Sequence, residues 1–219
     1  MRSNYNARRY GASRQRDVAA MLKEAGILLA ITLTAGLLLG FVYELTKEPI
    51  AEQQRRAVQK ACTAVFQNAS EFEPLQYTPP VALQEELAEE GVVTGSVYEA
   101  LSADGGRLGF VIESTTKRGY GGNIVLYVGV TVDGTVNDVS ILSISETAGL
   151  GMRAEEVLVP QFHQKTARSF VYTKTGAKAD NEIDAITSAT ITTKAFTDAV
   201  NGALRVAEDL GVQGGGRVE

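Results

Sequence analysis

Nineteen consecutive residues without a charge, Ala25 to Tyr43 (AGILLAITLTAGLLLGFVY), constrain this chain more than any other feature. As a helix rising about 1.5 Å per residue they span about 28 Å, close to the hydrocarbon thickness of a bilayer. Lys23 and Glu24 bound the run on one side and Glu44 on the other. A cleaved secretory leader has a shorter apolar stretch, about 7–15 residues, followed by a small-residue cleavage site. This run is longer and continues into YELTKEPIAEQ without such a site, so a retained single span is expected. Five arginines and Lys23 precede it, against only Asp17 and Glu24. That asymmetry predicts a cytoplasmic N-terminus in the cell (inner) membrane and an extracytoplasmic body after Glu44. Gly36 and Gly40 stand at GxxxG spacing, compatible with close packing against another membrane helix.

The charge outside the N-terminal segment is acidic. The whole chain carries −5, and the part after residue 24 holds 15 Lys and Arg against 24 Asp and Glu. Nucleic-acid binding needs clustered Lys and Arg and is not expected. Cys62 is the one cysteine, so an intramolecular disulfide and a cysteine-based metal site are excluded. His163 is likewise alone, and both are read as structural or surface residues. No nucleophile–base set stands out, so no residue of this chain is assigned a catalytic role, and no metal site is expected.

The chain divides into a basic cytoplasmic segment (1–24), the span (25–43), a membrane-proximal helix and linker (44–80), a folded domain (81–211) and a flexible tail (212–219). Pro49 suits the first turn of a helix, and Ile50, Ala57, Val58, Ala61, Cys62 and Val65 share a face, so a helix is predicted over about 49–67. EPLQYTPP (73–80) should be extended. Residues 97–101 and 108–114 flank Ala-Asp-Gly-Gly, and residues 123–132 and 135–144 flank Asp133-Gly134; each pair predicts a hairpin. Short helical pieces are expected over 153–169. Ala195, Phe196, Ala199, Val200, Ala203, Leu204, Ala207 and Leu210 repeat at helical spacing, with Gly211 placed to end the helix. Strands followed by helices give an α+β domain.

Three segments carry candidate chemistry. DAITSAT (184–190), followed by Ile191, Thr192 and Thr193, is a hydroxyl-rich turn before a helix N-terminus. Such a place suits a phosphate; Ser and Thr are also good N-caps, and capping is the simpler reading of the residues alone. ETAGLG (146–151) has two glycines that permit a tight turn and close approach of a flat ligand. GYGG (119–122) is a glycine-rich turn entering the strand NIVLYVGV.

Taken together and in this order behind the anchor, GYGG, ETAGLG and DAITSAT resemble the FMN-binding domain of the RnfG subunit of Rnf electron-transport complexes. They are more distantly similar to the NqrC subunit of the sodium-pumping NADH:quinone reductase. The resemblance runs from about residue 20 to 210 and is thinnest over 66–95. Two positions depart from the family pattern: Ala148 replaces a proline, and Ser188 replaces the glycine of SGAT. Any need for a positive φ at 188 would penalise serine. The resemblance implies that an ApbE-type flavin transferase takes FMN from FAD and esterifies its phosphate to Thr190. It implies that Asp184 helps position a metal-bound FAD or the acceptor threonine during transfer, and that Thr187, Ser188, Ala189, Thr192 and Thr193 lie near the phosphate end. Glu146, Thr147, Gly149, Leu150 and Gly151 should then lie near the ring, Glu146 as a polar contact. The implied role is an electron relay within a complex of membrane subunits that couples ferredoxin and NAD to ion movement, not a soluble enzyme acting alone. An NqrC-like subunit, or a membrane-anchored scaffold that keeps the fold without covalent flavin, are the alternatives.

Overall fold

The computed structural model describes the backbone of residues 3–212 and the side chains of residues 21–212. It divides into two compact units, residues 1–55 and 56–219, which are taken separately.

The described part of the first unit lies within helix α1, Ser3–Val65. From Met21 onward its apolar side chains in the first unit are exposed. It is the one helix among the described residues long and apolar enough to cross a membrane. The hydroxyls inside the apolar run satisfy themselves: Thr32 Oγ1 donates to Leu28 O at 3.0 Å and Thr34 Oγ1 to Ala30 O at 2.8 Å. That is the arrangement a polar side chain needs where water is absent. The expected helix start at Pro49 is not found. α1 runs through Pro49 without interruption. The ring removes one backbone donor, but its fixed φ is itself helical, so helix-forming neighbours on both sides carry the helix across it. The predicted tail lies outside the described residues except for Val212, which is buried.

The second unit is built on a six-stranded antiparallel sheet in simple meander order, β1 to β6. Its strands are β1 Glu71–Leu75, β2 Val92–Leu101, β3 Arg107–Thr116, β4 Ile124–Thr131, β5 Thr135–Ser143 and β6 Lys165–Thr166. Both predicted hairpins are present. Gly105 (φ 82°) and Gly134 (φ 84°) supply their left-handed turn positions, and Thr131 Oγ1 accepts the Thr135 N–H at 3.1 Å across the second turn. Pro74 sits in β1, an edge strand, where a missing amide hydrogen costs least.

Both faces of the sheet are covered. On one face Val97, Phe110, Ile112, Leu126, Val128 and Val130 pack under helix α5, Thr190–Asp209. On the other, Ala100, Val111 and Tyr127 meet Ala61, Cys62, Val65 and Phe66 from the end of α1. This two-sided burial explains why β4 reads as a continuous apolar run rather than an alternating one. Helix α2, Val81–Glu89, precedes β2. The expected helical pieces after Gly151 are a 3₁₀ turn, Gly151–Arg153, then α3 Ala154–Val157 and α4 Val159–Phe162. They end earlier than predicted, because the chain then joins the sheet as β6. A small parallel pair, β7 Val171–Thr173 and β8 Glu182–Asp184, leads into α5. Phe162 stacks against Phe196 at 5.7 Å and meets Phe170 edge-on at 5.0 Å, tying α4 and the segment before β7 to α5.

Candidate functional site

The hydroxyl-rich segment straddles the start of α5: Thr187 and Ser188 lie in the turn before it, and Thr190, Thr192 and Thr193 lie in its first turn. Thr190 is the first helical residue, and the N-cap is Ala189, which supplies no side-chain cap. The capping reading of Ser188 and Thr190 is therefore wrong. The threonines extend the helix upstream of its apolar repeat. Thr193, fully buried, donates its hydroxyl to Ala189 O at 3.0 Å and accepts the Ile186 N–H at 3.1 Å. Thr197 Oγ1 donates to Thr193 O at 2.9 Å. The two Thr193 bonds fold the DAITSAT turn back onto the helix and hold it there. Ser188 adopts φ 65°, a left-handed conformation that costs a non-glycine residue about 1–2 kcal/mol.

This first turn forms one wall of a pocket of about 450 Å³, within the range of sites for small molecules and cofactors. Ser188, Ala189, Thr190, Ile191 and Thr192 line it from α5 and the turn before it. Glu146, Thr147, Leu150 and Gly151 line it from the loop after β5, and Tyr120 from the loop between β3 and β4. The amides of a first helical turn have no acceptor within the helix, and the helix dipole is positive there. One side of the pocket thus offers hydroxyls and backbone donors. The lining also includes the exposed apolar side chains of Tyr120, Leu150 and Ile191. An amphipathic ligand with an anionic end and a flat apolar body fits this lining.

Of the residues singled out in the sequence, Glu146, Thr147, Leu150, Gly151, Ser188, Ala189, Thr190 and Thr192 come together here. Gly149, Asp184, Thr187 and Thr193 do not line the pocket. Thr193 lies beneath it, and the Asp184 carboxylate is turned to the Ala177 N–H at 2.6 Å. Glu146 is engaged by its own chain: Oε1 accepts the Gly121 N–H at 3.2 Å and Oε2 accepts the Thr192 hydroxyl at 2.9 Å. Tyr120 and Ile191 also line the pocket, and sequence reasoning missed both as site residues. The signal for Tyr120 was its place inside GYGG, where a large aromatic between glycines has no core to fill; it is 70% exposed. Among the described residues no cluster of His, Cys, Asp and Glu could hold a metal ion.

Comparison with known proteins gives two family matches, the RnfG N-terminal region over residues 15–65 and the FMN-binding domain over residues 119–205. The second match contains all three segments that form the pocket. The G-type subunit of the Na(+)-translocating ferredoxin:NAD(+) oxidoreductase complex of Acetobacterium woodii is 30% identical over 90% of this chain and 96% of its own length. The corresponding subunit of the ion-translocating oxidoreductase complex of Aliivibrio fischeri is 30% identical over 85% of this chain and 90% of its own. Among solved structures, Shewanella oneidensis NqrC superposes with a TM-score of 0.42 at 21% identity, over 50% of this chain and 54% of that one. With both family regions matched and relatives aligned along nearly their whole length, this chain belongs to the RnfG family of subunits of ion-translocating electron-transport complexes.

Proposed function

We propose that this chain is the electron-relay subunit of a membrane-bound ion-translocating ferredoxin:NAD oxidoreductase complex, carrying FMN esterified through its phosphate to Thr190. The observation that carries the reading is the position of Thr190: a half-buried residue, the first of α5, lining a pocket that combines hydroxyls of the helix start with the apolar side chains of Tyr120, Leu150 and Ile191. In the attachment reaction Thr190 Oγ1 forms the bond to the phosphorus of the flavin half of FAD. The hydroxyl proton is lost and AMP leaves with the broken pyrophosphate bond. The first-turn amides of α5 then sit where the remaining phosphate charge is best tolerated. Bound FMN supplies one- and two-electron chemistry, while the chain supplies its position and electrostatic surroundings. The domain faces the extracytoplasmic side in this reading, where a covalent link keeps the cofactor from being lost. Its partners are the other membrane subunits of the Rnf complex and, once, the ApbE-type transferase; ferredoxin and NAD are met only through the complex.

Intact-mass measurement with peptide mapping tests this on full-length protein coexpressed with the transferase. The expected result is a gain of FMN less one water on the peptide holding Thr190, and none in Thr190→Val. An unmodified wild-type peptide leaves the scaffold reading in its place.

A further inference from the structure

Three segments of the pocket meet at one carboxylate. Glu146 Oε1 takes the amide of Gly121 from the β3–β4 loop, and Oε2 takes the hydroxyl of Thr192 from the first turn of α5. The surroundings are shaped to admit that carboxylate. A Cβ added to Gly151 would lie 2.7 Å from both Glu146 Cβ and Thr192 Oγ1, and one added to Gly119 would lie 2.2 Å from Gly122 O and 2.6 Å from Glu146 Oε1. These distances are shorter than any side chain could keep. Gly151 thus leaves room for the acid and its threonine partner, while Gly119 is held first by the close backbone turn to Gly122. An ionised carboxylate is purely an acceptor, which suits a site where a backbone N–H and a hydroxyl arrive from opposite sides.

We propose that Glu146 is a positioning residue: it clasps the Tyr120 loop to the start of α5, and so fixes relative to each other the segments that line the pocket around Thr190. That Thr190 is the residue to be modified rests on the flavin reading above. The clasp itself belongs to the protein alone. Glutamine at this position keeps most of it, since its carbonyl can accept from Gly121 and its amide can donate to the Thr192 oxygen. Alanine removes both bonds.

The test uses the full chain as wild type, Glu146→Gln, Glu146→Ala and Thr192→Val. Amide hydrogen exchange without flavin reads the clasp. In Glu146→Ala the peptide containing Gly121 should exchange about tenfold faster or more, while β3 and β4 stay protected and Glu146→Gln stays close to wild type. Unchanged exchange at Gly121 in Glu146→Ala overturns the clasp. If that variant also loses sheet protection, Thr192→Val, which removes one donor and leaves both loops intact, carries the same test at the start of α5. Incubation with FAD and the transferase then reads the positioning role. FMN incorporation should slow about tenfold in Glu146→Ala and recover in Glu146→Gln. Wild-type incorporation in an unclasped variant overturns that role. A wild-type chain that takes no flavin overturns the flavin reading instead, and leaves the clasp to be judged on exchange alone.

Discussion

Replacing Ser188 by glycine should make this protein more stable, against the usual direction for a change to glycine. The reason is local. Ser188 holds φ 65°, inside the left-handed region, on an exposed turn immediately before α5. That conformation costs an L-residue about 1–2 kcal/mol. Glycine removes the cost but gives the unfolded chain more freedom, an opposing term of about 0.5–1 kcal/mol. Taken at matching points of the two ranges, the difference favours the variant by about 0.5–1 kcal/mol. For a chain of this size that raises Tm by about 1–4 °C. Thermal and denaturant unfolding of wild type, Ser188→Gly and Ser188→Val side by side measure it. Valine, β-branched and poorly suited to positive φ, should move the other way. A Ser188→Gly protein no more stable than wild type would refute the strain argument, whatever happened to flavin. With the transferase present, the glycine variant should also incorporate FMN at least as fast as wild type, because the turn presenting Thr190 no longer resists its own geometry.

Thr193→Val keeps the shape of the buried side chain but leaves the Ile186 N–H without its 3.1 Å acceptor. A loss of about 1–3 kcal/mol in denaturant unfolding is expected, and no loss would mean the turn finds another acceptor. Tyr127 gives a pH dependence. Burial first, then the nearby Glu113 carboxylate, pushes its phenol above the usual 10, and its hydroxyl donates to Glu113 Oε2 at 3.2 Å. Because the folded value is raised, this stabilisation is complete below pH 10 and is lost as pH rises further, since the unfolded chain ionises first. Wild type should therefore lose stability relative to Tyr127→Phe above pH 10, by up to about 1.4 kcal/mol per pH unit. A stability difference that stays flat between pH 9 and pH 11.5 contradicts this.

What was legible in the sequence was what local chemistry decides. The uncharged run, the Asp133-Gly134 turn and the apolar stripe of α5 each depend on neighbours within a few residues. What was hidden depends on distant ones. α2 and β1 lie where no strong period exists, and β1 is a strand only because β2 pairs with it from Val97 to Leu101. The start of α5 was masked by threonines, whose helix propensity is poor; burial of Thr192, Thr193 and Thr197 in the domain overrides it. For the site, the three motifs converge on one pocket, yet motif membership did not separate residues that face it from residues that build it. Thr193 and Asp184 were read as site residues beside Thr190, and the fold turns the first inward and the second toward Ala177.

The end of α1 has a consequence for handling this protein outside a membrane. Ala61, Cys62 and Val65 are buried with Phe66 against one face of the sheet, and the Asn137 side-chain amide donates to the Val65 carbonyl. The first place where the chain leaves the helix, after Val65, looks like the obvious point to sever anchor from domain. Cutting there strips the lid from Ala100, Val111 and Tyr127 and leaves an oily surface that invites aggregation. A soluble fragment should instead begin near residue 56, where the compact unit begins, in the middle of a helix.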